Sequence, residues 1–519
     1  MKMQGRALLL ALGLVAFHPA LAQSPPPHSF EQEETEALLN FIKLQNTPII
    51  SASNVAEKLS EAPATVIVLS REDFEKRGYT MLSQILDDLP GMQVSRAYGD
   101  QQVKNYWRGY RNFIGDPYLL LVDGLTQSHL WYNGVETPLT ALPLSNIDHV
   151  EVVYGPASAV YGANAFMGVI NVITQKDRDM DGSSTWVQMT GASGQARTLD
   201  AHYFFKTGAL RFSFTARFDS HIEGVENEAY EYTKNRYFSE RRLWGGFVDD
   251  PALGGQYRSE NRSRSAAARL FLGNTEFGFQ YLLLKTGTGS EYAADLVQNV
   301  AKWHRRELSF HLRHTEALTE VLHSATTVRY RESGNPPESA FIDGFESGAG
   351  YVVAYSLWQT QNSSVTLLQD FDWRAASQLG LNFGFKYEQK DLQKSYDNPY
   401  GPYVLAKDLD PRTYPFPQPP PGSTQEQNRI TTEDRGAYAQ ARWKVNEQHI
   451  LILGGRWDYN SQYKDAKTLR LGYVGNFGPW GLKALYGEGV QEPAPRILYG
   501  TWRAGSGDPR LDPERSRTV

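Results

Sequence analysis

Three aspartates near the middle of the chain have the spacing of metal ligands. Asp177, Asp179 and Asp181 stand at alternate positions before Gly182, as do the carboxylates that converge on calcium in a helix–loop–helix site. The twelfth position of such a site needs a bidentate glutamate, but Gln188 stands there and no helix signal flanks the segment. The sequence therefore predicts a polar hinge here rather than a calcium site.

Histidines form a second group of candidate metal ligands. His304, His311, His314 and His323 lie close together, but none belongs to a metal-site pattern such as H-E-x-x-H. They fall on strands with alternating polarity, so we expect them to line an interior surface. We predict no metal site.

No motif for covalent or cofactor chemistry is present. The glycines at 155, 162 and 168 lack the spacing of a phosphate-binding loop and are expected in turns. There is no G-x-S-x-G nucleophile motif, and the absence of cysteine rules out thiol catalysis and cysteine-bound metals. The sequence indicates neither an enzyme nor a resident cofactor.

Composition and the first residues indicate an exported protein. The formal charge of −6 argues against a nucleic-acid partner, and a mean hydropathy of −0.48 argues against a helical membrane bundle. Lys2 and Arg6 precede an apolar run at 7–17, and Ala-Leu-Ala follows at 20–22. This order predicts a secretory signal peptide at 1–22, followed by a flexible Pro-rich and acidic segment at 23–59.

The next region, 60–176, alternates between strands and short helices. Strands are predicted at 64–69, 119–122, 150–153 and 169–173. Ser70 should cap a helix together with Asp73, and Gly78 should end it. A second helix should open at Thr80. The region is predicted to be one compact α+β domain.

From residue 177 to the end, period-2 alternation replaces the helix signals. The sequence RFSFTARF at 211–218 alternates polar with apolar residues, as do 277–283, 308–313 and 382–388. Strands of this kind, joined by short turns at one end and long polar loops at the other, are typical of outer-membrane β-barrels. A soluble β-sandwich also alternates, but it accounts less well for so long a run of strands with Arg and Lys on one parity.

Several motifs in the α+β region resemble those of one family. They lie in family order at 62–69, 85–94, 107–110, 121–124 and 147–162, the last continuing through 168–174. With the signal peptide before them and the barrel pattern after them, they resemble the plug of TonB-dependent outer-membrane receptors. The resemblance implies a membrane-β fold, with an N-terminal α+β plug domain (60–176) inside a 22-stranded antiparallel transmembrane barrel (177–519).

The barrel region is short for that family. If one strand and its connecting loop use roughly 22–25 residues, the region 177–519 contains about 14 or 15 strands, whereas a plugged transporter has about 22. A half-closed barrel would expose a strand edge to lipid. We therefore expect the sequence to be truncated at its C-terminus.

A segment ahead of the plug is similar to the TonB box, an extended heptad that the partner engages by strand addition through main-chain hydrogen bonds. Asn46 lacks the usual acid and Pro48 lacks a backbone donor. The alternative is that these residues only lead into the first plug strand. The predicted box comprises Asn46, Thr47, Pro48, Ile49, Ile50, Ser51 and Ala52.

The resemblance also assigns roles within the plug. We expect the charges of Arg108 and Glu151 to hold the plug to the barrel wall. The predicted structural set is Arg108, Gly109, Asp123, Gly124, Glu151, Gly155, Pro156 and Gly162. Candidate ligand contacts on outward plug loops, suited to anionic and planar ligands, are Tyr98, Arg111, Asn112, Phe113, Trp131 and Tyr132.

The function implied by the resemblance is active import of a scarce nutrient. The leading candidate is a ferric siderophore; cobalamin, haem, a sugar or a peptide remain open. Implied partners are the periplasmic domain of TonB, an iron chelate or similar small molecule, and outer-membrane lipid and lipopolysaccharide. The alternatives are a passive porin, which would need an open lumen, and a secreted β-rich carbohydrate-binding protein.

Overall fold

The computed structural model describes residues 47–96, 103–110, 114–175, 181–191, 196–223, 259–287, 302–336, 339–347, 350–393, 396–404, 429–478, 480–499 and 507–519. The predicted signal peptide, Asn46, Tyr98, Arg111, Asn112, Phe113, Asp177 and Asp179 lie outside these residues. Among the described helices, none has the length and apolar character needed to cross a bilayer.

The first part of the fold has nine short strands. They are β1 (Pro48–Ile49), β2 (Glu57–Lys58), β3 (Thr65–Ser70), β4 (Met92–Ser95), β5 (Lys104–Trp107), β6 (Leu119–Val122), β7 (Leu125–Thr126), β8 (Ile147–Tyr154) and β9 (Gly168–Thr174). Five of them form a sheet in the order β3-β8-β9-β6-β7, in which β6 and β9 are parallel. β1 pairs with β2, and β4 pairs with β5.

Four short helices accompany these strands. They are α1 (Arg71–Arg77), α2 (Leu82–Asp87), α3 (Glu136–Ala141) and α4 (Ser158–Tyr161), with 3-10 turns at Leu59–Glu61 and Leu144–Asn146. The predicted capping box of Ser70 and Asp73 is present, and Gly78 ends α1 with φ of 68°. α2 begins at Leu82, two residues beyond Thr80, because the Gln84 side chain accepts the Thr80 and Met81 N–H groups ahead of it.

Buried apolar residues of the sheet and helices form the core of this α+β domain. Trp107 is fully buried, with its ring 5.6 Å from that of Tyr118 and 5.1 Å from that of Tyr154. Ile85 and Leu86 of α2 pack into the same core. The predicted compact α+β domain is present.

The remaining strands form one large antiparallel sheet. They are β10 (Gly182–Gly191), β11 (Arg197–Thr207), β12 (Leu210–Glu223), β13 (Ser259–Leu272), β14 (Thr275–Gly287), β15 (Lys302–Ala317), β16 (Leu322–Asn335), β17 (Ala340–Ser347), β18 (Gly350–Ala376), β19 (Leu379–Gln393), β20 (Tyr396–Val404), β21 (Arg429–Lys444), β22 (His449–Asn460), β23 (Lys464–Phe477), β24 (Trp480–Gln491) and β25 (Glu514–Thr518). The continuous path from β10 to β25 contains 14 strands, with β17 and β20 beside it. A fifth helix, α5 (Pro495–Tyr499), follows β24.

The strand count confirms the prediction of about 14 or 15. β10 and β25 are the first and last strands of the path, and within the described residues they do not pair with each other. Over the described residues the barrel is therefore not closed.

The two faces of the large sheet differ as the alternation predicted. On β12, Ser213, Thr215 and Arg217 are buried, whereas Phe214 and Phe218 are each 39% exposed. Apolar side chains thus point away from the plug and polar ones point toward it. This is the arrangement of a barrel with lipid outside and a polar interior.

Candidate functional site

The segment predicted to be the TonB box is docked on the plug. The carboxylate of Glu151, on β8, accepts the N–H of Ile50 at 3.0 and 3.1 Å and the N–H of Ser51 at 2.7 Å. Its side chain is 1% exposed. The backbone is extended only at Pro48 and Ile49 and then turns, so the predicted fully extended heptad is not present in this docked state.

Three further side chains hold the same segment. Asn171 donates to the Ser51 hydroxyl at 2.9 Å, and the Tyr161 hydroxyl donates to the Ser51 carbonyl at 3.0 Å. From the barrel wall, Arg470 on β23 donates to the Ala52 carbonyl at 2.6 Å. The segment is therefore fixed by both the plug and the barrel.

The electrostatics of the Glu151 site favour a charged carboxylate. Burial alone would raise the pKa of Glu151, but hydrogen bonds from His149, Ser51 and Ile50 outweigh it and hold the pKa below its usual value. Burial likewise opposes the charge on His149, whereas contacts with Glu151 and Asp148 raise its pKa. The hydrogen bonds to the box backbone are therefore charge-assisted.

Asp123, in the turn after β6, connects the plug to the barrel wall. Its carboxylate accepts the Thr174 N–H at 3.1 Å and the Thr174 hydroxyl at 2.7 Å, and it forms a buried ion pair with Arg269 of β13. Asp123 and Gly124 have φ of 49° and 80°, and the Gly124 N–H donates to Asn171 at 3.2 Å. Asn171 therefore bridges this turn and the box segment.

The prediction that Arg108 and Glu151 hold the plug to the barrel wall is wrong. Glu151 binds the box segment, because β8 faces that segment rather than the wall. The Arg108 guanidinium lies 5.7 Å from the ring of Tyr154, a residue of the plug. Ion pairs to the barrel are made instead by Asp123 with Arg269, by Glu136 with Arg305 and by Glu61 with Arg442.

Two of the three glycines predicted in turns, Gly155 and Gly162, lie in turns, whereas Gly168 is the first residue of β9. Gly109, Gly155 and Gly162 have φ of 77°, 98° and 87°, a backbone region that favours glycine. A Cβ on Gly162 would lie 3.0 Å from the Arg456 guanidinium, so the residue also permits close approach of the wall. Pro156 presents its carbonyl to Gly487 of β24, where a Cβ would come within 3.0 Å.

Arginines on the inner barrel face donate to plug carbonyls, which the sequence analysis did not identify individually. The contacts are Arg217 to Thr80 at 2.6 Å, Arg329 to Thr126 at 2.5 Å, Arg331 to Ser128 at 3.2 Å and Arg456 to Val160 at 3.3 Å. All lie on the polar parity of their strands. The alternation of polar and apolar residues could have identified these arginines as inward-facing, but it could not have identified the plug carbonyls that they contact.

A cavity of about 720 Å³ separates the plug from the inner face of β15, β16, β18, β19, β21 and β22. On the plug side it is lined by the segment that follows the box at 54–56, by the Asp123 turn and by residues 160–164. On the wall side it carries both charge signs, including Arg331 paired with Glu388 at 3.0 Å. Its size falls within the range of small-molecule sites.

The ligand candidates that the structure describes are buried. Trp131 is 0% and Tyr132 is 7% exposed. Arg305 and Arg496 lie 5.6 and 5.3 Å from the Tyr132 ring, in cation–π contact. Neither aromatic face is open to solvent in this structure, so ligand contact by these residues stays a prediction.

The prediction that the four histidines line the interior is wrong for His314, which is exposed and has the same parity on β15 as the outward Phe310 and Leu312. His304 is buried, and His311 contacts Glu276 at 3.2 Å. Across the described residues, no three His, Asp or Glu side chains come together as a metal-binding group. The residues present fit ion pairing and hydrogen bonding rather than metal ligation.

These features define a plugged outer-membrane β-barrel receptor. A family model for the TonB-dependent receptor plug domain matches residues 58–169, and one for the TonB-dependent receptor-like β-barrel matches residues 154–519. The chain belongs to the TonB-dependent receptor family, whose members are transport receptors rather than enzymes. Membership argues against the secreted carbohydrate-binding alternative.

Known relatives agree with this class. An iron-regulated outer membrane virulence protein of Vibrio cholerae is 26% identical over 505 residues, covering 91% of this chain and 65% of the relative. The vitamin B12 transporter BtuB of Vibrio vulnificus is 30% identical over 156 residues, covering 30% of this chain and 24% of that protein. The chain thus spans just under two thirds of the length of the iron-regulated relative.

Solved structures support the fold. The ferripyoverdine receptor of Pseudomonas aeruginosa matches with a TM-score of 0.61 at 16% identity, covering 91% of this chain and 62% of that one. The ferric enterobactin receptor PfeA of the same organism matches with a TM-score of 0.59 at 16% identity, covering 91% and 69%. Homologues of this chain are outer-membrane receptors, which implies the same membrane here.

Proposed function

We propose that this chain imports a ferric siderophore across the outer membrane, using energy delivered by the TonB complex. The observation that carries the proposal is the docked segment at 48–52, whose main-chain N–H groups at Ile50 and Ser51 are held by Glu151. A partner that binds by strand addition needs such main-chain groups. Docked and partner-bound states of the segment therefore exclude each other.

A route for releasing the segment runs through side chains already in contact. Ser51 is bound by Asn171, Asn171 accepts from Gly124, and the adjacent Asp123 pairs with Arg269 on the barrel. A ligand that displaces the plug relative to the wall would strain this chain of contacts. We propose that such strain frees residues 46–52 for the periplasmic domain of TonB.

The cargo assignment rests on relatives. A sequence match over 91% of the chain is to an iron-regulated outer-membrane protein, and the structural matches include siderophore receptors. The vitamin B12 transporter covers a smaller part of the chain. We propose that export uses a signal peptide cleaved after Ala22 and that the domain limits are 1–22, 23–59, 60–176 and 177–519.

Proline substitutions in the box test the proposal. Ile49→Pro or Ile50→Pro removes one main-chain donor and fixes φ, so we expect energised uptake of radioactive ferric siderophore to be lost while surface binding to chilled cells is kept. Pro48→Ala is the matched control and should transport normally, since Pro48 has no donor to lose.

Two results would contradict the proposal. Uptake that survives both proline substitutions would place the partner contact elsewhere in the chain. Full-rate uptake in cells that lack the TonB system would show that transport is passive, as in a porin.

A further inference from the structure

Three arginines on β15 and β16 form a column on the inner face of the barrel wall. Arg329 and Arg331 lie two residues apart on β16, and Arg313 of β15 is paired with Thr327, the next inward position of β16. Residues two apart on a strand are separated by about 7 Å, so the three positions span roughly 14 Å of the wall. We call Arg313, Arg329 and Arg331 the arginine column.

The arginine column donates to successive carbonyls of one plug segment. The contacts are Arg313 to Asp123 at 3.2 Å, Arg329 to Thr126 at 2.5 Å and Arg331 to Ser128 at 3.2 Å. The plug chain therefore runs along the column from the Asp123 turn to Ser128. A carbonyl oxygen is a neutral acceptor, so these hydrogen bonds leave the charge of the guanidinium groups without a countercharge.

One member of the column has a carboxylate partner. Arg331 pairs with Glu388 at 3.0 Å, and Lys386 contacts the same carboxylate at 2.8 Å, so two cations share it. Among the described residues, no carboxylate lies within ion-pair distance of Arg313 or Arg329. Arg329 is only 5% exposed. The column therefore carries an excess of buried positive charge.

Other inward cations of the wall are balanced within the described part of the chain. The pairs are Lys390 with Asp434 at 2.7 Å, Arg456 with Asp458 at 2.8 Å and Arg305 with Glu136 at 3.2 Å. A buried charge without a partner is costly, and charged residues at membrane depth commonly line the paths of substrates and ions. The excess charge of the column thus calls for a functional explanation.

The arginine column lines the cavity of about 720 Å³ between the plug and the wall. Toward the long connections the cavity is lined by Leu130 and Asn133, on either side of the ligand candidates Trp131 and Tyr132. At its other end it reaches residues 54–56, which follow the box segment. The column therefore extends along a space that joins the ligand candidates to the box.

We propose that the arginine column binds the anionic oxygens of the cargo while the cargo passes between the plug and the barrel wall. This inference rests on the proposed function, because it assigns the column to the same import. Carboxylate or phenolate oxygens of an iron chelate accept charge-assisted hydrogen bonds from guanidinium groups and, unlike a carbonyl, they also neutralise the charge. The plug carbonyls hold the three arginines until the anion replaces them.

The charge selectivity of the cavity tests the column without any cargo. The chain has no cysteine, and Thr366 lines the cavity directly opposite Arg329, so Thr366→Cys places one thiol beside the column. The probes are two methanethiosulfonates of similar size, one with a sulfonate and one with a trimethylammonium group, added to the purified full chain. We expect the anionic reagent to react faster, relative to the rates of both reagents with a free thiol.

Removing the charge of the column should reduce this preference. In the Thr366→Cys chain, Arg313→Gln together with Arg329→Gln should lower the ratio of anionic to cationic rate roughly tenfold for each charge removed. The ratio cancels changes in thiol ionisation and in access, which a merely structural role would alter equally for both reagents. Lysine at both positions keeps the charge and should keep the ratio.

A matched control removes two exposed cations that do not line the cavity. Arg374→Gln with Lys467→Gln makes the same change in net charge and should leave the ratio unchanged. An equal fall in both double variants, no preference in the unmodified column, or a thiol that neither reagent labels overturns the proposal. If the double column variant does not fold, Arg313→Gln alone is measured against Arg374→Gln with the same criteria.

Import by living cells separates this inference from the proposed function. The probes are the anionic chelates ferric enterobactin and ferric citrate, labelled with radioactive iron. We expect the glutamine double variant to import at least about tenfold more slowly than the unmodified chain, with binding to chilled cells kept. Equal import rates would remove the column from the path. The ratio of reagent rates decides on the column whether or not the unmodified chain imports either chelate, so the two proposals can fail separately.

Discussion

Replacing Glu151 by alanine is expected to release the docked segment from the plug. The carboxylate accepts the N–H groups of Ile50 and Ser51 at 2.7–3.1 Å. Hydrogen bonds to charged groups contribute about 1.5–3 kcal/mol each, so two of them contribute roughly 3–6 kcal/mol. Water satisfies part of the lost bonding once the segment leaves, and we expect a net cost of about 2–4 kcal/mol. This raises the undocked population about 30-fold to 1,000-fold.

The chain has no cysteine, so one introduced thiol reports the undocked state. Ser53 is 1% exposed, and Ser53→Cys places a shielded thiol next to the box. When redocking is faster than labelling, the labelling rate follows the undocked population. We expect Glu151→Ala to speed labelling at least about 30-fold, and Glu151→Gln to speed it less because an amide oxygen still accepts one N–H.

Two controls separate undocking from general damage. Glu75 is an exposed plug carboxylate paired with Arg71, and Glu75→Ala should leave the Ser53→Cys rate unchanged. A thiol at the exposed Lys76 position provides the reference for full accessibility. If Glu151→Ala changes the labelling rate of the Ser53→Cys thiol by less than about twofold while the barrel remains folded, Glu151 does not hold the segment.

Three further changes test the plug and its wall contacts. Asp123→Ala removes one carboxylate partner of the buried Arg269 and leaves Glu276 at 3.5 Å as the other, a loss of about 1.5–3 kcal/mol that should loosen the plug and raise entry of a large antibiotic; Asp123→Asn should have a smaller effect, and unchanged entry would argue against an anchoring role. Gly168→Ala puts a Cβ 2.4 Å from the Val153 carbonyl and 2.7 Å from Trp107, so we expect about 1–3 kcal/mol of destabilisation and faster proteolysis of the plug. Gly380→Ala, at a strand position of β19 where a Cβ meets no neighbouring atom, serves as the comparison. Burial raises the pKa of Glu57 from 4.5 to about 7, since Ser53, Arg442, Arg470 and Lys483 offset burial only in part. The protonated carboxyl therefore stabilises the docked β1–β2 pair at low pH, and this stabilisation is lost as the pH rises from about 4.5 through about 7. A spin label at Ile50→Cys should therefore be more mobile at about pH 8 than at about pH 5.5, and a profile that Glu57→Gln leaves unaltered would contradict this assignment.

Local patterns in the sequence predicted most of the fold because they depend on neighbouring residues. The capping box at Ser70, the strand at 119–122 and the period-2 alternation of the barrel each follow from adjacent side chains. The strand count follows from length alone. These features need no knowledge of distant contacts.

The pairing of distant residues could not be obtained in the same way. Glu151 lies 100 positions from Ser51, and Arg470 lies 418 positions from Ala52. Nothing in a single sequence states which inward arginine meets which plug carbonyl. The sequence therefore predicted buried charges in the plug but assigned the barrel contact to Arg108 and Glu151 instead of Asp123, Glu136 and Glu61.

The strict alternation of the large sheet also bears on how its strands find their register. A slip of one residue in β12 would turn Arg217 toward lipid and Phe214 and Phe218 toward the plug, because each side chain changes face. An arginine at the bilayer midplane costs about 2–4 kcal/mol, and the slip would also break the bonds from Arg217 to Asp200 and Thr80. Each inward arginine therefore penalises a misregistered hairpin, so side chains that hold the plug also select the register of the barrel strands.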